Sequence, residues 1–137
     1  MKLKLLTLLF LFPFTQSYSQ TTPQEITKKF FDVYKQGDTD KAVDYLFSNS
    51  PYVNDIQESL EDVKRQLKKT AGQLGKFYGA DMLTSKTAGA NLIMFTYLVR
   101  HDREPLVFSV MFYKPNDKWQ MQNFKYGNSI DDELEEA

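Results

Sequence analysis

The chain has 137 residues, enough for one domain with a core of its own, and carries 17 basic and 18 acidic residues. A net charge of −1 argues against a nucleic-acid-binding protein, whose footprint is a basic patch or stripe. The absence of cysteine excludes disulfides, thiol catalysis and cysteine-ligated metals, and a single histidine excludes a three-histidine zinc site.

The start of the chain has the pattern of a secretory signal peptide. Two lysines precede an apolar run from Leu5 to Phe14, and the small–x–small triplet Ser17-Tyr18-Ser19 follows. The run is about half as long as the roughly 20 residues that a membrane span requires. We therefore predict a signal peptide over residues 1–19, cleavage near Ser19, and a periplasmic or secreted protein with no membrane association after cleavage.

Two helices are predicted at the start of the mature chain. In TTPQEITKKFFDVYKQGD, Thr22 can cap the first helix, Glu25 completes a capping box, and Gly37 can end the helix. The segment DKAVDYLF predicts a short second helix, which Asp38 or Thr39 can cap.

The third predicted helix is the longest periodic signal of the chain. Apolar residues recur at helical spacing from Ile56 to Leu74, and Gly75 can end the helix. Asn54 or Asp55 can cap its start, and Asp55 with Glu58 makes a second capping box. Four basic residues lie in its second half. They can bind an anionic partner, but a solvated helix face is the favoured interpretation of Lys64, Arg65, Lys68 and Lys69.

After Gly75 the periodicity changes from helical to alternating, and four strands are predicted. Their segments are KFYGADMLTSKT, NLIMFTYLVRH, PLVFSVMFYK and KWQMQNFKYG. Gly79 marks a bulge or a close backbone approach in the first of them. Helices followed by strands indicate an α+β fold: three N-terminal helices, then a curved four-stranded antiparallel sheet wrapped around the long third helix.

The domain is expected to occupy residues 20–130, and residues 131–137 are expected to form a solvated acidic tail. Because the strands are apolar on both sides, both faces of the sheet should be covered. The third helix would cover one face, and a second copy of the chain could cover the other, which predicts a homodimer through the sheet. The side chains expected in the core are Leu60, Val63, Leu67, Phe95, Phe108 and Trp119.

The segment FFDVYKQGDTDKAVDYLF, the long helix after it and the closing hairpin FYKPNDKWQMQNFKY are similar to the nuclear-transport-factor-2-like (cystatin-like cone) superfamily. The chain also resembles small exported proteins of unknown function from bacteria of the Bacteroidetes type. The resemblance implies a cavity between sheet and helices. Some members are isomerases or epoxide hydrolases with an Asp or an Asp/His/Tyr set in that cavity, and others are binding or dimerisation modules. The chain departs from the pattern where members often have a short strand, since only PYV could supply it.

One short segment has the residue types of an acid–base site. The sequence His101-Asp102-Arg103-Glu104 holds a base, two carboxylates and a cation, but it lies between two strongly alternating segments, and Pro105 suits the start of the second. A four-residue polar connection of this kind is an ordinary hairpin loop. We therefore interpret HDRE as a turn, with His101 at the end of a strand.

No metal or cofactor is predicted. The segment DTDKAVD offers three aspartates, but it lacks the glycine and the terminal glutamate of a calcium loop. For catalysis, the candidate residues are Asp81, the only carboxylate inside a predicted strand, and Tyr97. Asp81 is assigned to the same strand face as Phe77, Gly79 and Leu83; a desolvated carboxylate there could act as a base, and the alternative interpretation is a strand residue that faces water.

These observations leave two classes of function open, with a structural role as a third. The favoured hypothesis is a non-enzymatic exported domain that binds a small apolar ligand or a protein partner. The alternative is a cavity enzyme of the isomerase or hydrolase type that uses Asp81 with a tyrosine. The third is a structural dimer domain whose aromatic side chains fill the interior.

Overall fold

The computed structural model describes residues 21–136. Its elements in chain order are α1 (Pro23–Lys35), α2 (Thr39–Ser48), a 3-10 turn (Val53–Ile56), α3 (Gln57–Leu74), β1 (Phe77–Thr87), β2 (Leu92–His101), β3 (Leu106–Tyr113), β4 (Gln120–Gly127) and α4 (Ile130–Glu135). The strands form one antiparallel sheet in the order β1-β2-β3-β4. The predicted α+β fold class is confirmed. The predicted signal peptide, residues 1–19, lies outside the described residues.

The first two helices begin and end where their sequence signals indicate. The Thr22 hydroxyl accepts the amide of Glu25 at 3.2 Å, and the Glu25 carboxylate accepts the amide of Thr22 at 2.9 Å. After α1, Gly37 takes a left-handed φ of 86°, which favours glycine. Asp38 then caps α2 by accepting the amide of Lys41 at 3.0 Å. These local contacts hold α1 and α2 as consecutive helices joined by a tight turn.

The predicted start of α3 is wrong. Residues 53–56 form a 3-10 turn, and α3 begins at Gln57 without a side-chain cap. The amide of Asp55 donates to the carbonyl oxygen of Tyr52 at 3.0 Å, so i→i+3 backbone bonds occupy the stretch where Asp55 was expected to cap. The PYV segment leads into this 3-10 turn, with Val53 as its first residue, and forms no strand. The predicted end of α3 at Gly75 is confirmed.

The core lies between the three N-terminal helices and the concave face of the sheet. Leu60, Leu67, Phe95 and Phe108 are buried, as predicted. The prediction is wrong for Val63 and Trp119, which are only half-buried. Val63 faces an open groove between α3 and β4. Trp119 lies just before β4, and the Lys114 ammonium is 5.1 Å from its ring centre.

The convex face of the sheet carries a mixture of apolar and small polar side chains. Thr96 and Ser109 are buried there, and their hydroxyl oxygens lie 3.1 Å apart across β2 and β3. The acidic segment, expected to be a solvated tail, contains the short helix α4. Its side chains are mostly exposed, and Glu136 forms an ion pair of 3.3 Å with Lys86 of β1. Within residues 21–136, no helix has both the length and the apolar character needed to cross a membrane.

The position of Leu67 allows a direct test of the core. Leu67→Ala should lower the free energy of unfolding by about 2–5 kcal/mol, because the side chain is 1% exposed and its removal leaves a cavity. Urea denaturation measures the change. The exposed neighbour provides a matched control, since Gln66→Ala should change stability by less than about 0.5 kcal/mol. Equal unfolding midpoints for Leu67→Ala and the wild type would contradict this placement of α3.

Candidate functional site

The two catalytic candidates, Asp81 and Tyr97, are not brought together. In the register of β1 and β2, Asp81 pairs with Leu98, and Tyr97 pairs with Met82. Because successive residues of a strand point to opposite faces, Asp81 belongs to the convex face and Tyr97 to the concave one. A carboxylate and a hydroxyl on opposite faces of a sheet cannot act on one substrate atom.

A β-bulge explains why the predicted face of Asp81 is wrong. Phe77 pairs with His101, whereas Gly79 pairs with Arg100, so one extra residue interrupts the alternation of β1. A one-residue shift moves every later side chain to the other face of a strand. Phe77 therefore faces the helices, and Asp81 does not.

On the convex face, Asp81 forms an ion pair instead of a desolvated base. The Arg100 Nε atom donates to an Asp81 carboxylate oxygen at 2.9 Å, and both side chains are about half exposed. Gly79 leaves the space that the Arg100 guanidinium occupies, since a β-carbon there would collide with it. The predicted close approach at Gly79 is therefore found together with the bulge. Solvent screens such a pair, so we assign it no large share of the stability.

Tyr97 lies in the packed interior. Its ring centre is 5.1 Å from that of Phe31, and burial raises the pKa of its hydroxyl, with the Thr27 hydroxyl opposing the shift. Around it, aromatic rings from α1 and the sheet fill the space between the layers. The Phe30 and Phe108 rings stack at 4.9 Å, and Phe124 contacts Phe108 edge-on at the same separation. Helices and sheet thus meet through stacked rings.

The predicted turn at HDRE is confirmed, and its role is to close the end of α3. The amide of Arg103 donates to the carbonyl oxygen of Leu74, and the amide of Asp102 to that of Lys76, each at 3.0 Å. The Arg103 guanidinium reaches the carbonyl oxygen of Gln73 at 3.4 Å. The last carbonyl groups of a helix have no hydrogen-bond donors within the helix, and this turn supplies donors to those of α3. Asp102 in turn accepts the Tyr78 hydroxyl at 2.6 Å.

His101 differs from the rest of the turn. It is the last residue of β2 and shares the concave face with Val99. Its Nε2 atom lies 3.0 Å from the Tyr34 hydroxyl of α1, and its ring packs edge-on against Phe77 with the ring centres 5.9 Å apart. The side chain is half-buried rather than solvated. The His101 imidazole, at the end of β2, therefore contacts both α1 and β1.

The His101–Tyr34 pair is neutral near pH 7. Burial, with repulsion from Tyr126, raises the pKa of Tyr34 to about 12, so the phenol keeps its proton and can donate it to Nε2. Burial lowers the pKa of His101 from 6.5, and an approach to the Val99 backbone opposes this shift. Nδ1 is buried and forms no hydrogen bond of regular geometry with the described residues. No carboxylate within residues 21–136 forms a hydrogen bond with the ring, as the orienting partner of a general base would.

An open groove of about 470 Å³ lies over this pair, between the α1–α2 turn, the end of α3 and the start of β1. Tyr34, Phe77 and His101 form its floor, and Ala71 and Gly72 form the wall that α3 contributes. We call it the His101 groove. It brings together residues of α1, the end of α3, the start of β1 and the end of β2, at one end of the helical layer.

Gly72 is an unusual residue for this wall. A glycine in a helix is less favourable than alanine by up to about 1 kcal/mol. At Gly72 an added β-carbon would meet no atom within 4 Å, so crowding does not demand glycine there. Nor does the backbone demand it, since Gly72 is not among the positive-φ residues. What the glycine does is leave space in the groove.

Three lysines, Lys35, Lys68 and Lys76, surround the His101 groove. The sequence pattern did not indicate this site. The available signal was the helical period, which placed Tyr34 on the buried face of α1. A buried hydroxyl needs a hydrogen-bond partner. His101 as that partner follows only from the way α1 packs on the sheet.

Within residues 21–136, no cluster of three or more histidine, aspartate or glutamate side chains could hold a metal ion.

The buried imidazole predicts a specific loss of stability in mild acid. Its pKa in the folded protein lies below 6.5, so between these two values the unfolded chain binds more protons than the folded one. The free energy of unfolding should therefore fall as the pH is lowered through 6.5. His101→Gln, which keeps an acceptor for Tyr34, should show a flatter profile in urea denaturation between pH 7.5 and pH 5. Parallel profiles for the two proteins would contradict a neutral, buried His101.

Comparison of the chain with family models, curated proteins and solved structures finds no match. The resemblance to the nuclear-transport-factor-2-like superfamily therefore stays a prediction, since an order of helices followed by an antiparallel sheet indicates a fold class and not a family. The candidate site rests on the geometry of the His101 groove.

Proposed function

We propose that this chain is an exported, non-enzymatic domain that binds a small apolar ligand in the His101 groove. The groove itself is the observation that carries the proposal. It has a volume of about 470 Å³ and a floor of aromatic and imidazole rings. Ligand sites have volumes of about 300–1,000 Å³ and are mostly apolar with a few polar groups, which is the character of this groove.

The arrangement of ionisable groups supports binding rather than catalysis. Asp81 pairs with Arg100 on the convex face, away from Tyr97. The Nε2 atom of His101 is bonded to the Tyr34 hydroxyl, and the imidazole has no carboxylate partner in the part of the chain that the structure describes. A general base needs reach to its substrate and a neighbour that sets its protonation. The alternative function, an isomerase or a hydrolase, would need both features, and its candidate residues Asp81 and Tyr97 have neither.

A binding assay and an activity assay together test this function. The mature chain should be stabilised by apolar compounds in a thermal-shift screen, because a ligand at 100 times its Kd adds about 2.7 kcal/mol to the free energy of unfolding. The same protein should show no turnover with ester, epoxide or ketosteroid substrates.

Matched variants separate the two outcomes of that experiment. Asp81→Asn and Tyr97→Phe should bind the compounds as the wild type does. Turnover by the wild type that Asp81→Asn abolishes would establish the enzyme instead. A screen in which no compound stabilises the protein would reject the small-ligand function and leave a protein partner as the binding target.

Export and pairing of two copies through the sheet are further parts of the proposal. Export is supported by the pattern of residues 1–19. Pairing is supported by apolar side chains on the convex face, such as Leu98, Val107 and Met111, which α4 and its ion pair with β1 cover only in part.

Native mass spectrometry of the exported protein tests both parts. The chain mass should correspond to residues 20–137, since cleavage is expected near Ser19. The assembly should have twice that mass at micromolar concentration. Met111→Glu should yield the monomer, because a charge buried in an apolar interface is costly. A full-length chain would contradict export, and a wild-type monomer would contradict pairing.

A further inference from the structure

We infer that the ligand of the His101 groove is a small amphipathic carboxylate, an apolar body with one anionic head group. The inference rests on the proposed function and names the chemical class that it leaves open. Three features of the groove carry it: an apolar floor, a wall without a side chain, and a surround of positive charge.

The floor suits an apolar body. Tyr34 is buried, Phe77 is half-buried, and their rings meet edge-on with centres 5.2 Å apart. The two polar atoms that could face a ligand there, the Tyr34 hydroxyl and His101 Nε2, already bond to each other at 3.0 Å. Bound to each other, they do not leave an unpaired polar atom when an apolar group covers them.

The wall is open where α3 passes the floor. Gly72 has no β-carbon, and apart from its chain neighbours and the adjacent helix backbone, no atom lies within 4 Å of the position that a β-carbon would take. Neither backbone geometry nor crowding accounts for glycine at this position. Access to the floor does account for it, since a longer side chain at residue 72 would project into the groove.

The charges around the groove favour an anion. Lys35 has no carboxylate within ion-pair distance among residues 21–136. Lys76 lies over the Tyr78 ring at 5.3 Å, and Lys68 pairs with Asp40 at 3.4 Å.

Acidic residues of the neighbouring segments offset part of this charge. Asp40 pairs with Lys68, and Asp38 caps α2 and lies 3.8 Å from Lys41. Asp102, which lies beside Gly75, accepts the neutral Tyr78 hydroxyl at 2.6 Å and so keeps its negative charge. The three lysines of the groove therefore exceed Asp40 and Asp102 by one positive charge, which a single carboxylate at the rim would balance.

Paired probes test the two halves of the ligand. Isothermal titration of the mature protein at low ionic strength compares octanoate with 1-octanol and with acetate. Octanoate should bind, octanol should bind roughly fivefold to tenfold more weakly because it cannot pair with a lysine, and acetate should not bind measurably. 3-Phenylpropanoate and 3-phenylpropanol repeat the comparison, so that an aliphatic source of the carboxylate is distinguished from an aromatic one.

Variants of the groove assign the binding to its parts. Lys35→Glu and Lys76→Glu should weaken octanoate by roughly tenfold and leave octanol unchanged, and Lys118→Glu in the distant β3–β4 turn is the matched charge control. Gly72→Leu should abolish both probes, whereas Gly72→Ala should weaken them and raise the thermal unfolding midpoint. The higher midpoint shows that the loss of binding comes from the lost space and not from unfolding.

Each outcome of these titrations tests one part of the inference: the anionic head group, the site or the underlying function. Equal affinity for octanoate and octanol would overturn the anionic head group and leave the apolar-ligand function intact. Octanoate binding that survives Gly72→Leu would overturn the groove as its site. In a third outcome, neither carboxylate binds, while another compound from the apolar screen binds to the wild type and not to Gly72→Leu. In that case the inference fails and the proposed function stands. If no compound binds at all, both fail.

Discussion

The stack of Phe30 on Phe108 is the contact on which the rest of the structure depends. The two rings lie 4.9 Å apart and nearly parallel, both are almost fully buried, and they fix α1 against the middle of the sheet. Aromatic side chains bury large areas, so a stack at this position contributes to stability and also sets a distance between the layers. One turn after Phe30, Tyr34 then reaches the end of β2. The His101 groove lies over the contact of Tyr34 with the end of β2, beyond the rings that pack between the layers.

The candidate site lies at one end of the helical layer. Aromatic rings pack between α1 and the middle of the sheet, and the His101 groove lies where α1 and α3 end and β1 begins. At that point the HDRE turn fixes the end of α3 through backbone hydrogen bonds from Asp102 and Arg103. The segment that most resembled an acid–base site is thus a structural connection, and its histidine forms part of the groove floor.

Local signals predicted much of this fold from the sequence. The capping box at Thr22 and Glu25, the glycine stops and the change from helical to alternating periodicity depend on residues a few positions apart. Such signals are readable because the hydrogen bonds they form are local. The start of α3 was missed because 3-10 backbone bonds replaced the expected side-chain cap of Asp55.

The sequence by itself determined the order of the elements, the fold class and most of the core, because hydrophobic periodicity and caps are properties of short segments. Only the tertiary structure decided the site. One extra residue near Gly79 turned Asp81 away from the helices; the glycine indicated a bulge or a close approach there, but the pairing with β2 decided between them and set the face of Asp81. The contact of Tyr34 with His101 joins residues 67 positions apart, and the space at Gly72 is defined by what other elements leave empty. Contacts and gaps between distant segments depend on how whole layers pack, which is the physical reason that the site could not be deduced from its residues in sequence.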